Sequence, residues 1–96
     1  MKEAKILIVD NDGQNIRLMT KILGNAGFES VRGALSSKDA VRVCEEFEPH
    51  LVLLDLTATG PADFSLIPKL RKAASPKIFA FSADPSHPLI YGPLSW

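Results

Sequence analysis

Ninety-six residues with 46% hydrophobic content bound one small globular domain and exclude a disordered chain. The formal net charge is zero, which removes the basic footprint of nucleic-acid or anionic-membrane binding. Cys44 is the only cysteine, so an internal disulfide and a zinc cluster are excluded, and a reducing cytosol fits.

The opening residues lead into Ile6-Leu7-Ile8-Val9, an apolar run too short for a secretory signal or a membrane span. A soluble, cytoplasmic protein is the expectation. The run is apolar on both faces, the mark of a strand buried on both sides in a parallel sheet. It ends in the turn Asp10-Asn11-Asp12-Gly13, after which Asn15 or a neighbour can cap a helix. Ile16, Met19, Ile22, Leu23 and Ala26 recur on one face of that helix, and Gly27 sits where a C-cap takes a left-handed residue. Phe28 to Val31 reads as a short second strand at a sheet edge, since Glu29, Ser30 and Arg32 break its apolar character. Ser36 or Ser37 with Asp39 forms a capping signature. Ala40, Val41, Cys44 and Phe47 follow as the apolar face of a second helix stopped at Pro49. Cys44 lies on that face and reads as core, not as a reactive thiol.

Leu51-Val52-Leu53-Leu54-Asp55 is the third strand, and Thr57 to Pro61 a loop. A third helix is predicted over Leu66 to Ala74, with Ser65 as N-cap, Leu66, Ile67 and Leu70 inward, and Pro68 tolerated in the first turn. Lys77 to Phe81 is a fourth strand, ending in Ser82-Ala83-Asp84. Strands alternating with helices predict βαβ units, a parallel sheet and a three-layer α/β fold. Beyond Asp84 the character changes. Pro85, Pro88, Gly92 and Pro93 exclude a helix, yet Leu89, Ile90, Tyr91, Leu94 and Trp96 are too apolar for a solvated tail. The chain therefore divides into a domain at 1–84 and an irregular apolar tail at 85–96 that packs on its own domain or on a partner.

An ionised Asp at the end of an apolar strand is costly to bury without a partner. Asp55 is either a cap on the following turn or part of a ligand site at the carboxyl edge of the sheet, where open α/β sheets bind. Parallel strands bring Asp10, Asn11, Asp12, Asp55 and Ser82 to that edge. Carboxylates converging there repel one another unless a cation sits among them. Oxygen-only donors with open positions suit Mg²⁺, and a carboxylate beside Mg²⁺ and a hydroxyl is a candidate phosphoryl acceptor. The competing interpretation is three unrelated polar strand ends that the topology alone lines up. His50 and His87 lack ligand spacing, and no glycine-rich phosphate loop follows the first strand. Lys69, Arg71 and Lys72 read as a solvated helix face.

Three segments carry a family resemblance. Lys5-Ile6-Leu7-Ile8-Val9-Asp10-Asn11-Asp12 resembles the opening of bacterial two-component response-regulator receiver domains (CheY-like). Leu51 to Gly60 resembles their phosphoacceptor strand and loop, and Phe79-Ala80-Phe81-Ser82-Ala83 their fourth strand ending in Thr/Ser-Ala. The resemblance covers residues 4 to about 84. It implies a flavodoxin-like sheet of strand order 2-1-3-4. It also implies Asp55 as phosphoacceptor, Asp10 as the first acidic-pocket residue, the Thr57 backbone carbonyl as a metal ligand, and Ser82 as the hydroxyl that turns toward the phosphoryl group. The implied cofactor is Mg²⁺, and the implied partner a histidine kinase or phosphotransfer protein.

The departures bear on chemistry. The position of the second acid, a direct Mg²⁺ ligand in the family, is Asn11, a weaker ligand for a hard cation that Asp12 compensates at most through water. Thr59 replaces the usual Pro. The family's fourth helix, fifth strand and fifth helix find no match, nor do the Lys and aromatic residue of that strand. The expectation is an atypical receiver whose fourth-strand edge and first-helix flank are covered by the tail from Leu89 to Trp96, a second copy in a homodimer, or a partner. Two functions follow: phosphorelay acceptance on Asp55, with at most self-phosphorylation and autodephosphorylation as enzymatic activity, or a degenerate receiver that serves as an interaction or dimerisation module. A truncated product is the third reading.

Overall fold

The computed structural model describes residues 3–55, 65–81 and 90–91. Their order is β1 (Ile6–Val9), α1 (Gly13–Asn25), β2 (Val31–Ala34), α2 (Ser37–Phe47), β3 (Leu51–Asp55), α3 (Leu66–Ala74), β4 (Lys77–Phe81) and β5 (Ile90–Tyr91). The sheet runs β2-β1-β3-β4-β5. The first four strands are parallel in the expected order, with Val9 beside both Ala34 and Leu54, and Leu54 beside Ala80.

The continuous apolar runs become the buried centre of this sheet. All four β1 residues are sealed, Leu7 and Val9 on one face and Ile6 and Ile8 on the other. Leu7, Val9, Val52, Leu54, Ile78 and Ala80 join Ala40, Val43 and Cys44 of α2 and Leu66, Ile67 and Leu70 of α3 in one core. The opposite face carries α1, which comes so close that a methyl on Gly33 of β2 would stand 2.5 Å from Ile16 Cγ2. α2 and α3 on one face and α1 on the other make three layers.

Local chemistry sets the helix ends. Asp12 caps α1 by accepting the Gln14 N–H at 2.9 Å, a role the sequence suggested for Asn15 or a neighbour. At the far end the Gly27 N–H donates to Gly24 O and the Phe28 N–H to Leu23 O, with Gly27 at φ 101°. Ser36 caps α2 through the Asp39 N–H, and Glu48 ends it in the left-handed region at φ 51°. α3 has the predicted bounds with Pro68 in its first turn. Ser65 stands at the N-cap position but makes no side-chain cap bond.

Two expectations shift. The second strand is Val31–Ala34, not Phe28–Val31, because the Schellman turn uses the Phe28 N–H to close α1. On α1, Ile16, Met19 and Leu23 are half-buried but Ile22 is 57% exposed, and no residue of the helix is fully buried. As one of the expected arrangements has it, the tail covers part of the fourth-strand edge: β5 pairs antiparallel with it, Ala80 opposite Tyr91 and Phe81 opposite Ile90. The eight residues 82–89 between the two strands are too few for a helical crossover back to a parallel strand, so a return strand there runs antiparallel.

Candidate functional site

Asp10 directly follows Val9 in β1, and Asp55 follows Leu54 in β3; since Val9 and Leu54 are register partners, the two carboxylates emerge side by side. Both are sealed, at 3% and 4% exposure. Asp10 is fixed at both ends: its own N–H donates to Ala34 O at 3.0 Å, and its Oδ1 accepts the Asp12 N–H at 2.9 Å. Burial raises the Asp10 carboxyl above its ordinary range, and the neighbouring charges of Asp55 and Asp12 push the same way. Hydrogen bonds from the Asp12 backbone and the Asn15 side chain oppose the rise without cancelling it.

Asn11 and Asp12 are exposed, and the Asp12 carboxylate is engaged with the start of α1. Among the described residues no three His, Cys, Asp or Glu side chains gather closely enough to hold a metal. Asp10 and Asp55 are therefore the brought-together pair, with Asp12 one turn residue away. Thr57 and Ser82 lie outside the described residues, as does His87. His50 is at the opposite, amino edge, where its Nδ1 accepts the Lys5 N–H at 2.9 Å.

Asn15 was missed as a site residue. Sequence reading saw in it only a helix cap, whereas its side chain hydrogen-bonds Asp10. The signal available was its place in the first turn of a helix whose capping residue stands two positions from Asp10.

Cys44 does not join the site. Cys44 is fully buried between α2 and α3, its thiol donating to Leu70 O at 3.5 Å, and burial pushes its pKa up to about 11. Among the described residues no helix is long and apolar enough to cross a membrane.

The family described as response regulator receiver domain matches residues 6–91, from β1 through β5. A curated relative, the transcriptional regulatory protein YvrH of Bacillus subtilis (strain 168), is 27% identical over 86 residues, covering 90% of this chain and 36% of that protein. The chain thus spans about a third of that relative's length. The signal receiver domain of a modulated diguanylate cyclase from Desulfovibrio desulfuricans G20 superposes with a TM-score of 0.74 at 19% identity, over 85% of this chain and 66% of that one. The anti-anti-sigma factor PhyR of Bartonella quintana, solved in complex with the anti-sigma factor NepR, gives 0.71 at 17% identity, over 97% and 42%. At such identities the two structures speak for the fold, and the family match over most of the chain speaks for descent: the protein belongs to the response regulator receiver domain family.

Proposed function

We propose that the chain is a phosphoacceptor receiver of a two-component phosphorelay, taking a phosphoryl group from a histidine kinase or phosphotransfer protein onto Asp55. The observation that carries this reading is the Asp10–Asp55 pair, two sealed carboxylates on adjacent parallel strands at the carboxyl edge of the sheet. In the transfer an Asp55 carboxylate oxygen attacks phosphorus. A new P–O bond forms, the P–N bond of the donor phosphohistidine breaks, and the imidazole nitrogen keeps the electron pair and takes up a proton.

The donor set fits Mg²⁺, a hard cation held by one or two carboxylates that retains several waters. Asp10, raised by burial and by the charge of Asp55, is the kind of group a divalent cation stabilises in its ionised form. Asp10, Asp55 and the Thr57 backbone carbonyl would hold the ion, with Asp12 and Asn11 contributing weakly. When bound, Mg²⁺ neutralises charge on the carboxylates and on the phosphoryl oxygens. Ser82 would offer its hydroxyl to the phosphoryl group, and Asn15 with the Asp12 N–H keeps Asp10 oriented. In this reading residues 1–84 form the cytoplasmic receiver body and 85–96 an apolar tail, whose Ile90–Tyr91 pair with β4.

A second reading rests on Asn11. This exposed amide occupies the second-acid position, and Asp12 is committed to the α1 cap. The site then holds only two sealed carboxylates, too few for tight metal binding, and the domain acts through protein contacts or dimerisation alone. Incubation with Mg²⁺ and acetyl phosphate, followed by intact mass, decides. The first reading expects one phosphoryl group per chain, absent from Asp55→Asn. No adduct at millimolar Mg²⁺, restored in Asn11→Asp, establishes the second.

A further inference from the structure

α2 and α3 lie side by side on one face of the sheet, and both run against the strands because each crosses between parallel ones. Their inner sides meet in the core through Ala40, Val43, Cys44, Leu66, Ile67 and Leu70. On the solvent side the pair leaves a cleft of about 400 Å³, lined by Val41 and Glu45 of α2 and Lys69, Lys72 and Ala73 of α3. Val41 and Ala73 are half-buried and form its apolar floor, while Glu45, Lys69 and Lys72 are exposed on its walls.

Charge is divided by wall. α2 supplies a carboxylate to the cleft, and α3, which carries Lys69, Arg71 and Lys72 but no acid, supplies ammonium groups. Arg42 of α2 pairs with Asp39 at 3.7 Å and Glu46 at 3.5 Å, whereas among the described residues Glu45, Lys69 and Lys72 join no ion pair.

We propose that this cleft is a twofold contact between two copies of the chain. An isologous interface needs a surface that complements itself. A twofold axis lying along the cleft, parallel to the helices, sets α2 of one copy over α3 of the other at the same height. Glu45 of each copy then faces Lys69 and Lys72 of the other, and the apolar floors meet between them. An axis across the helices would set like walls together, so the charge pattern selects the first arrangement. An acidic partner would suit the lysines but oppose Glu45 with like charge, whereas a second copy satisfies both walls. The formal net charge of zero leaves no overall repulsion between copies. Glu45 lies in the last turn of α2, which leads into the start of β3, away from the Asp10–Asp55 edge. The contact therefore stands whether or not Asp55 accepts a phosphoryl group.

Exposed ion pairs contribute little each, so the dimer is weak and forms at high concentration. Sedimentation equilibrium should show a monomer–dimer equilibrium by millimolar chain, weakened several-fold in about half-molar salt. Glu45→Lys alone, and Lys69→Glu with Lys72→Glu, should each weaken association by about tenfold or more with the far-UV circular dichroism unchanged. The three substitutions on one chain exchange the walls and should restore it. In the unaltered chain the amide resonances of Val41, Glu45, Lys69, Lys72 and Ala73 should shift with concentration, which tests the placement even if the variants unfold. A chain that stays monomeric at millimolar concentration overturns the proposal, as does a dimer that both reversals leave unchanged. Concentration-dependent shifts confined to other residues overturn it by placing the contact elsewhere. Reversals that abolish association without recovery in the triple variant overturn it too, since walls that pair with each other must tolerate their exchange.

Discussion

Asp10 and Asp55 follow directly on register partners of adjacent strands, and both are nearly sealed from solvent. Asp10 answers with a carboxyl raised above its ordinary 3.8, chiefly by burial and also by the Asp55 charge, against the opposing hydrogen bond from the Asp12 N–H. The folded state therefore holds a proton that the unfolded chain releases at about pH 3.8. Stability from this group is fully present below pH 3.8 and falls as pH rises from that point through the raised value. Asp10→Asn removes the charge and keeps an acceptor oxygen for the Asp12 N–H. It should stabilise the metal-free protein at pH 7 by on the order of 1 kcal/mol in urea unfolding, with no gain below pH 3.8. Mg²⁺ should stabilise the parent chain and leave this variant unmoved.

The uneven covering of the sheet makes core and flank respond differently. Leu70 is fully buried between α2 and the sheet, so Leu70→Ala should cost about 2–5 kcal/mol. Ile22→Ala removes side-chain atoms that are mostly in water and should stay within roughly 0.5 kcal/mol of the parent. Chemical denaturation of both variants side by side checks the ratio. An Ile22→Ala cost near that of Leu70→Ala would mean that something covers the α1 flank in solution.

Two glycines of opposite use give a second pair. Gly33 lies under α1, where an added Cβ would meet Ile16 Cγ2 at 2.5 Å and Cδ1 at 3.2 Å. Ile16 is β-branched and cannot swing clear within a helix, so Gly33→Ala should destabilise by about 1–3 kcal/mol. Gly24, in the last turn of α1, has nothing within 4 Å, and Gly24→Ala should stabilise by about 0.5–1 kcal/mol. Thermal unfolding with opposite signs at the two sites confirms the close approach of α1 to β2.

Ile6–Val9, Leu51–Asp55 and Lys77–Phe81 were legible in the sequence because strands buried on both faces must be continuously apolar. The helix over Leu66–Ala74 was legible because Pro68 permits only one starting turn. Phe28 misled because its apolar side chain suits a strand as well as the contact behind a helix cap, and only the Leu23 carbonyl it binds decides between them. Ile22 misled for a related reason: the helical period assigns it to the apolar stripe, but what packs on a stripe is a property of the whole fold. β5 was illegible, since its two residues owe their conformation to an edge contributed by β4. At the site, Asp10 and Asp55 could be read from strand ends alone, whereas the Asn15 contact needed the helix to be placed first.

Cys44 should behave as an inert core residue. It is fully buried, its thiol donates to Leu70 O, and its pKa of about 11 keeps it protonated at pH 8. Labelling by a thiol reagent at pH 8 should be negligible in the native chain and complete in denaturant. Native labelling at a rate independent of denaturant would place Cys44 outside the core.

Asp12 offers the sharpest separation between packing and chemistry. Its carboxylate accepts the Gln14 N–H, so Asp12→Ala should cost about 1 kcal/mol by exposing an unsatisfied donor at the start of α1. Asn caps a helix about as well as Asp, so Asp12→Asn should hold stability within a few tenths of a kcal/mol. The same substitution removes one of the negative charges acting on Asp10 and should lower its carboxyl toward the ordinary range. Mg²⁺ titrations of Asp12→Asn then distinguish two roles at unchanged stability. Affinity equal to that of the parent makes Asp12 a cap alone, while a loss of tenfold or more makes it an outer ligand that compensates for the amide at Asn11.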